Sequence, residues 1–243
     1  MFDRVAPYYD RFNTLLSVGF DRRWRRHAAR SLKLSAGARV LDVATGTGAL
    51  ARTIAEVAPE RAKVVGCDLN PRMLAVGQDR LGHSSAGRNR AAQVAQQAGP
   101  AAQAGAAARV WLVRANAECL PFSDDTFDAA TIGFALDDFA DRVMAVRELQ
   151  RVIRPGGELV LLELSLPDQP MLRRAYRSGL AVFGLIGRLP GRAGYSHLRE
   201  EITRYRGVRA IVELLANSGF GDHRFVRLTG GIATLHHAVK RPD

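Results

Sequence analysis

The sequence predicts an α/β protein: a doubly wound, mostly parallel seven-stranded sheet with a helical cap. Three observations carry this. Five short apolar runs, at 39–43, 63–67, 110–114, 127–132 and 158–163, read as strands. Helical stretches separate them. Two further strands, at 223–228 and 233–239, follow a last helix. The first five runs are rich in Val, Leu and Ile and do not alternate cleanly, which suits strands covered on both faces. Strand alternating with helix gives βαβ units with right-handed crossovers.

In chain order, residues 1–35 read as an N-terminal helical cap. A helix over 48–57 follows the first strand. Another, over 71–81, starts after Asn70, a good N-cap, with Pro71 at its first position. A third, over 141–153, stops at Arg154-Pro155-Gly156-Gly157, which reads as a turn. The last helix covers 208–218 and ends at Gly219. Two regions depart from the plan. Residues 83–108 are rich in Ala, Gly and Gln and read as a low-complexity surface insertion without chemistry. Residues 167–206 read as short helices forming a substrate cap over one sheet edge. The whole, 1–243, is expected to be one domain.

Composition narrows the function classes. The chain is 47% hydrophobic and 24% charged, which fits a globular protein rather than a disordered one. Cys67 and Cys119 are the two cysteines, so a disulfide framework and a Cys-rich zinc site are excluded, and no metal is assigned. The charged pair Asp3-Arg4 comes just after Met1-Phe2, unlike a signal peptide. The apolar stretch 178–187 is far short of the ~18 residues a spanning helix needs. A cytoplasmic protein is expected. Its 35 Lys and Arg against 24 Asp and Glu give a net charge of +11, with lysine only at 33, 63 and 240. Two readings of that charge stand: an anionic partner, or an arginine-rich genome. With no RNA-binding module or interleaved aromatic patch, nucleic acid is not expected as a partner.

The strongest local signal runs from Val40 to Gly48, VLDVATGTG, a strand entering a glycine loop that opens a helix. Gly46 and Gly48 allow close backbone approach to a ligand at the helix N-terminus. The spacing also satisfies G-x-G-x-x-A ending at Ala51, so a dinucleotide must be weighed. Asp68, 20 residues past Gly48, can accept ribose hydroxyls of either ligand. Asp42 discriminates. Its carboxylate would repel a pyrophosphate but suit S-adenosyl-L-methionine, which carries a sulfonium and an ammonium. The plainer reading is that Asp42 caps the loop or helix. Asn116-Ala117-Glu118 follows the third strand, where Asn116 and Ala117 can read an adenine rim.

Asp42 to Gly48, Asp68, Asn116-Ala117-Glu118, Leu120-Pro121-Phe122 and Arg154 to Gly157 resemble the class I S-adenosylmethionine-dependent methyltransferases. Val5-Ala6, Tyr9-Asp10, Asn13, Ser17, Gly19, Arg22 and Trp24 are similar to the N-terminal signature of the UbiE/MenG family, and Leu228 to Ala233 with Leu235-His236 to its ending. The resemblance covers nearly all of the chain except 83–108. It implies a Rossmann-like methyltransferase that C-methylates a demethylated isoprenoid quinol such as demethylmenaquinol. It also implies cofactor contacts at Thr47, Asp68, Asn116 and Ala117, with Gly133 standing where the family commonly has Ser; the full set expected at the cofactor adds Asp42, Ala44, Thr45, Gly46, Gly48, Leu69 and Glu118.

The chain departs from that family on the substrate side. Phe134-Ala135-Leu136-Asp137-Asp138 replaces Phe-Gly-Leu-Arg-Asn, and Tyr195-Ser196-His197-Leu198 replaces Tyr-x-Tyr-Leu. An Arg would stabilise a quinolate, whereas an Asp would repel it but can accept a proton or bind a cation. A second acceptor therefore stands beside the quinol: a specialised aromatic metabolite methylated on O, N or C. His197 is the first candidate base, by its intrinsic pKa; its plainer reading is a cap histidine satisfied by backbone. Asp137 is the second candidate, with a helix N-cap as its plainer reading. Tyr195 would orient substrate. His236, in a late strand, reads as structural. Asp21 to Arg30, DRRWRRHAAR, reads in two ways. It is a basic amphipathic helix lying on the inner membrane face, or it packs Trp24 onto the sheet and leaves arginine in solvent. The second is expected, because the family shares Trp24. Oligomeric state stays open, a dimer included.

Overall fold

The computed structural model describes residues 17–81, 109–167 and 207–242, together with 10, 14, 169–171, 173, 174, 176 and 178. Its strands are β1 (Arg39–Val43), β2 (Lys63–Asp68), β3 (Arg109–Arg114), β4 (Phe127–Gly133), β5 (Ile153–Leu164), β6 (Phe220–Leu228) and β7 (Ala233–Lys240). They form one sheet in the order β3-β2-β1-β4-β5-β7-β6. β1 to β5 pair in parallel, and β7 runs antiparallel to both β5 and β6. The order reverses between β1 and β4, so their carboxyl ends splay apart and open a crevice.

The helices are α1 (Phe20–Ser31), α2 (Ala49–Val57), α3 (Pro71–Arg80), α4 (Arg142–Val152) and α5 (Gly207–Asn217). The Asn70 carboxamide caps α3 by accepting the N–H groups of Arg72 and Met73, as its position predicts. Neighbouring strand residues point to opposite faces, and both faces are covered. Leu41, Ile132, Leu149, Leu159 and Phe220 pack on one face. Trp24, Val40, Ile54, Val160 and Leu235 pack on the other. The unbroken apolar runs of the sequence have this cause.

In α1, Trp24 is buried and its indole N–H donates to the Thr229 hydroxyl at 2.8 Å. The helix thereby closes over the sheet and ties to the turn between β6 and β7. Arg22, Arg23, Arg26, His27 and Arg30 remain exposed. The inward-packed Trp24 is the arrangement the family resemblance led us to expect.

Arg154 to Gly157 does not separate helix from strand as expected. α4 passes directly into β5 at Ile153. Ile153 pairs with Phe127, and Glu158 pairs next with Ala129, so the four residues between swell into a break in register. A Cβ on Gly157 would lie 2.7 Å from the Asp128 carbonyl oxygen. Gly156 has φ +74° and open space around it. The predicted insertion over 83–108 lies outside the described residues, as does most of the predicted cap over 167–206.

Gly157→Ala is expected to destabilise the protein by about 1–3 kcal/mol, because backbone must shift. Gly156→Ala should cost less, about 1 kcal/mol, the strain of a left-handed alanine. Urea denaturation of the two variants checks the ranking.

Candidate active site

A cleft of about 650 Å³ opens at the carboxyl ends of β1, β2 and β4 and beside the turn after β3. At its base lies Asp42, only 1% exposed. The Thr45 hydroxyl donates to one of its oxygens at 2.5 Å, and the Thr131 hydroxyl to the other at 2.6 Å. Burial pushes the Asp42 carboxyl up to about 6, opposed by the two hydroxyls, the Ala51 amide and the charge of Arg25. It is therefore mostly ionised at neutral pH. Asp42 pins the glycine loop to β4 and also puts negative charge in the cleft wall. The loop-pinning role is the plainer of the two expected for this residue.

The loop lies close against β2 and α3. A Cβ on Gly66 would come within 2.7 Å of the Thr45 hydroxyl oxygen, and one on Gly77 within 2.9 Å of the Thr47 carbonyl. Sequence reading passed over both. The usable signal was a glycine inside a strand and another inside a helix, which marks close backbone approach. Asp68, at the end of β2, accepts the Gly46 and Asn70 N–H groups, both at 2.8 Å. Burial raises its pKa against those amides. Leu69 beside it is 61% exposed and lines the cleft. Asn116 and Ala117 line the same end, and Asn116 folds its turn by accepting the Glu118 N–H at 3.1 Å. Glu118 also accepts the Asp141 N–H at 2.8 Å, which steadies the start of α4.

The Thr47 hydroxyl donates to Asp10 at 2.7 Å. Asp10 also pairs with Arg80 and, at 3.7 Å, with Arg52, which donates to the Thr47 carbonyl at 2.7 Å. Asp10 and Arg25 both line the cleft, and sequence reading assigned neither to it. Ala44, Thr45, Gly46, Thr47 and Gly133 line it as expected. A Cβ on Gly133 would sit 3.1 Å from the Leu50 side chain, so this position is tight for the family's Ser. Gly48, also expected at the cofactor, is not among the residues that line the cleft. It is the N-cap of α2, at φ +74° beneath the Leu112 side chain.

Asp137 stands just outside the cleft, in a small recess with Phe134, Asp138 and Glu163, and pairs with Arg142 at 3.3 Å. The helix cap imagined for it belongs to Asp141, which accepts the Met144 N–H at 3.0 Å. Asp138 lines the main cleft. His197 and Tyr195 lie outside the described residues. His236 is fully buried against His223 at 3.1 Å, and burial pushes it down to about 3, as befits a structural residue.

A sheet that reverses order at a glycine loop, carries an acidic residue at the end of its second strand and ends in an antiparallel hairpin defines a class: the S-adenosylmethionine-dependent methyltransferases. Solved structures agree on the fold. A SAM-dependent methyltransferase from Thermotoga maritima superposes with TM-score 0.65 at 18% identity, covering 99% of this chain and 98% of that one. One from Aquifex aeolicus gives 0.58 at 17%, covering 89% of each. The model of the ubiE/COQ5 methyltransferase family matches residues 1–240, and the chain belongs to that family. The ubiquinone/menaquinone biosynthesis C-methyltransferase UbiE of Geobacter sulfurreducens is 37% identical over 242 residues, 99% of this chain and 87% of its own length. The demethylmenaquinone methyltransferase of Lactiplantibacillus plantarum is 34% identical over 243 residues, 99% of this chain and 94% of its own length.

The residues present fit S-adenosylmethionine. The cleft wall offers the carboxylates of Asp42 and Asp68 among its acidic side chains, an open glycine edge and an exposed leucine beside Asn116 and Ala117. That set matches a ligand with a sulfonium, a diol and an aromatic base, and it disfavours a pyrophosphate.

The Asp42 shift sets a pH dependence. An unfolded chain's Asp titrates near 3.8 and the folded one near 6, so ionising Asp42 costs folding stability as pH rises between those values. Affinity for a cationic ligand gains over the same window. Calorimetry should show S-adenosylmethionine binding about tenfold more weakly at pH 5 than at pH 7.5. Thr131→Val, which removes a hydrogen bond to the ionised form, should move the midpoint upward.

Proposed function

We propose that this enzyme transfers a methyl group from S-adenosylmethionine to a ring carbon of a demethylated isoprenoid quinol such as demethylmenaquinol. The observation that carries the reading is family membership along 1–240, with quinone-pathway relatives matched over 99% of the chain. When bound, S-adenosylmethionine supplies a methyl group already activated by positive sulfur. The protein's part is chiefly alignment and exclusion of water. Asp68 takes the ribose hydroxyls, with Leu69, Asn116 and Ala117 around the adenine. Ala44, Thr45, Gly46 and Thr47 follow the chain from ribose to amino acid, with Gly48 fixing the loop from behind and Glu118 steadying the adenine side. Gly133 leaves room at the reacting end, and Asp42 supplies the negative wall. A quinol must lose its hydroxyl proton to become a strong nucleophile, and the methylated ring carbon must then lose its own. His197 is assigned the proton transfer, Tyr195 the orientation of the ring, and Asp137 a share in the proton's path. His197 and Tyr195 belong to a cap over 167–206 and Asp137 to the turn after β4, on one domain spanning 1–243.

Asp137 stands where the family carries Arg, and Arg142, at the start of α4, brings a guanidinium to it at 3.3 Å. That pairing supports an acceptor with an oxyanion. Asp138 in the cleft supports the second reading, a specialised aromatic metabolite with a cationic or proton-donating group.

Among the described residues no helix is long and apolar enough to cross a membrane. Contact with an anionic inner membrane face is part of the proposal, through the exposed Arg22, Arg23, Arg26 and Arg30 of α1, since Trp24 is turned inward.

A methyl-transfer assay on demethylmenaquinol tests the reading, with product formation expected and none on NADH-linked substrates. His197→Ala should lower kcat about 100-fold or more with donor affinity unchanged. Full turnover of the quinol by that variant would remove His197 from the reaction.

A further inference from the structure

Arg25 is a guanidinium the fold has buried in the cleft wall. It is 8% exposed, and among the described residues its one ion pair is with Asp21, through a single nitrogen, Nη1. Asp21 is held in turn by the hydroxyls of Ser17 at 3.0 Å and Thr14 at 3.3 Å. The Arg25 guanidinium carbon lies 5.6 Å from the centre of the Phe134 ring. A guanidinium carries five N–H donors. Among the described residues, the buried side-chain atoms without a partner are Ser218 Oγ and His237 Nε2. The remaining Arg25 nitrogens are thus not sealed in the core. They stay accessible at the cleft that the residue lines.

A staple between helix turns would explain Asp21 and Arg25 on a surface. It does not explain burying the cation with donors to spare, because a buried charge is costly unless its hydrogen bonds are completed. The missing partner is an oxyanion. Its source follows from the position of Arg25 along the cleft. Arg25 acts electrostatically on Asp42 and on Arg52, which grips the glycine loop. It sits by Phe134, just past β4, and not at the end marked by Asp68 and Asn116. Asp42 and Arg25 together offer a negative and a positive charge at the loop, the complement of an amino-acid zwitterion.

We propose that Arg25 receives the methionyl carboxylate of S-adenosylmethionine and so sets which end of the donor enters the wall beside the glycine loop. This rests on the cofactor placement given above. A charge-assisted, fork-shaped pair of this kind discriminates strongly for the carboxylate.

The test is calorimetry with S-adenosylmethionine and with its decarboxylated form, on wild-type protein, Arg25→Met and Arg25→Lys. Wild type should prefer the carboxylate-bearing ligand by about tenfold or more. Arg25→Met should lose that preference, binding S-adenosylmethionine about 10- to 100-fold more weakly while the decarboxylated ligand changes about twofold at most. Arg25→Lys should recover part of it. The double variant Asp21→Asn, Arg25→Met leaves no unpaired buried carboxylate and gives the same readout if the single variant does not fold. Equal losses for both ligands, or no loss, would overturn the proposal. So would an unchanged donor affinity with a raised KM for the acceptor, which would assign the guanidinium to the acceptor's oxygen. If wild type binds neither ligand, the cofactor reading itself fails, an outcome separate from the others.

Discussion

The site depends on one buried carboxylate. Asp42 lies where β1 ends and the sheet order reverses, and it gathers hydroxyls from Thr45 in the loop and Thr131 on β4. Removing a carboxylate from water is expensive, and two short hydrogen bonds to the charged form offset part of that cost. The rest remains as a raised pKa. What the protein gains is a loop whose backbone is fixed before any ligand arrives. Glycine at 66 and 77 lets β2 and α3 close on it from below. Preorganisation of this kind spares the ligand the entropy of ordering the loop.

The chain's two ends serve the same centre. Asp10 grips Thr47 from the N-terminal side, and Arg25 and Trp24 come from the helix that follows. Trp24 in turn holds Thr229, more than 200 positions away in sequence. The described parts of the N-terminal cap are thus one wall of the cleft rather than an appendage. The basic helix that suggests a membrane or nucleic acid in composition has an inward face with a specific task. Only its outer arginines, at 22, 23, 26 and 30, present positive charge to solvent from this helix.

Most of the fold was legible because period and punctuation agreed with it. Residues 39–43 are β1 as read, Asn70-Pro71 opens α3, and Gly219 follows α5 within two residues. The Arg154–Gly157 stretch misled because Pro and Gly read locally as a turn, whereas pairing with β4 draws the segment into the sheet edge as a swelling. In the site, Asp42, Asp68 and Asn116 were readable from strand ends alone. Asp10 and Arg25 were not, since one aspartate near the N-terminus and one arginine among the five of 21–30 carry no local sign of burial. Their places are fixed by contacts across distant parts of the chain. Gly46 and Gly48 share one motif, but Gly46 lines the cleft whereas Gly48 caps α2.

The claim at the centre is that Asp42 turns a glycine loop of dinucleotide-like spacing into a seat for a cationic nucleoside. The most direct measurement is the calorimetric affinity for S-adenosylmethionine of wild-type protein and of Asp42→Asn between pH 5 and pH 8. Wild-type affinity should climb through about pH 6, and Asp42→Asn affinity should be weak and nearly flat. An Asp42→Asn protein that binds as tightly as wild type at neutral pH, or keeps the same pH profile, would contradict it.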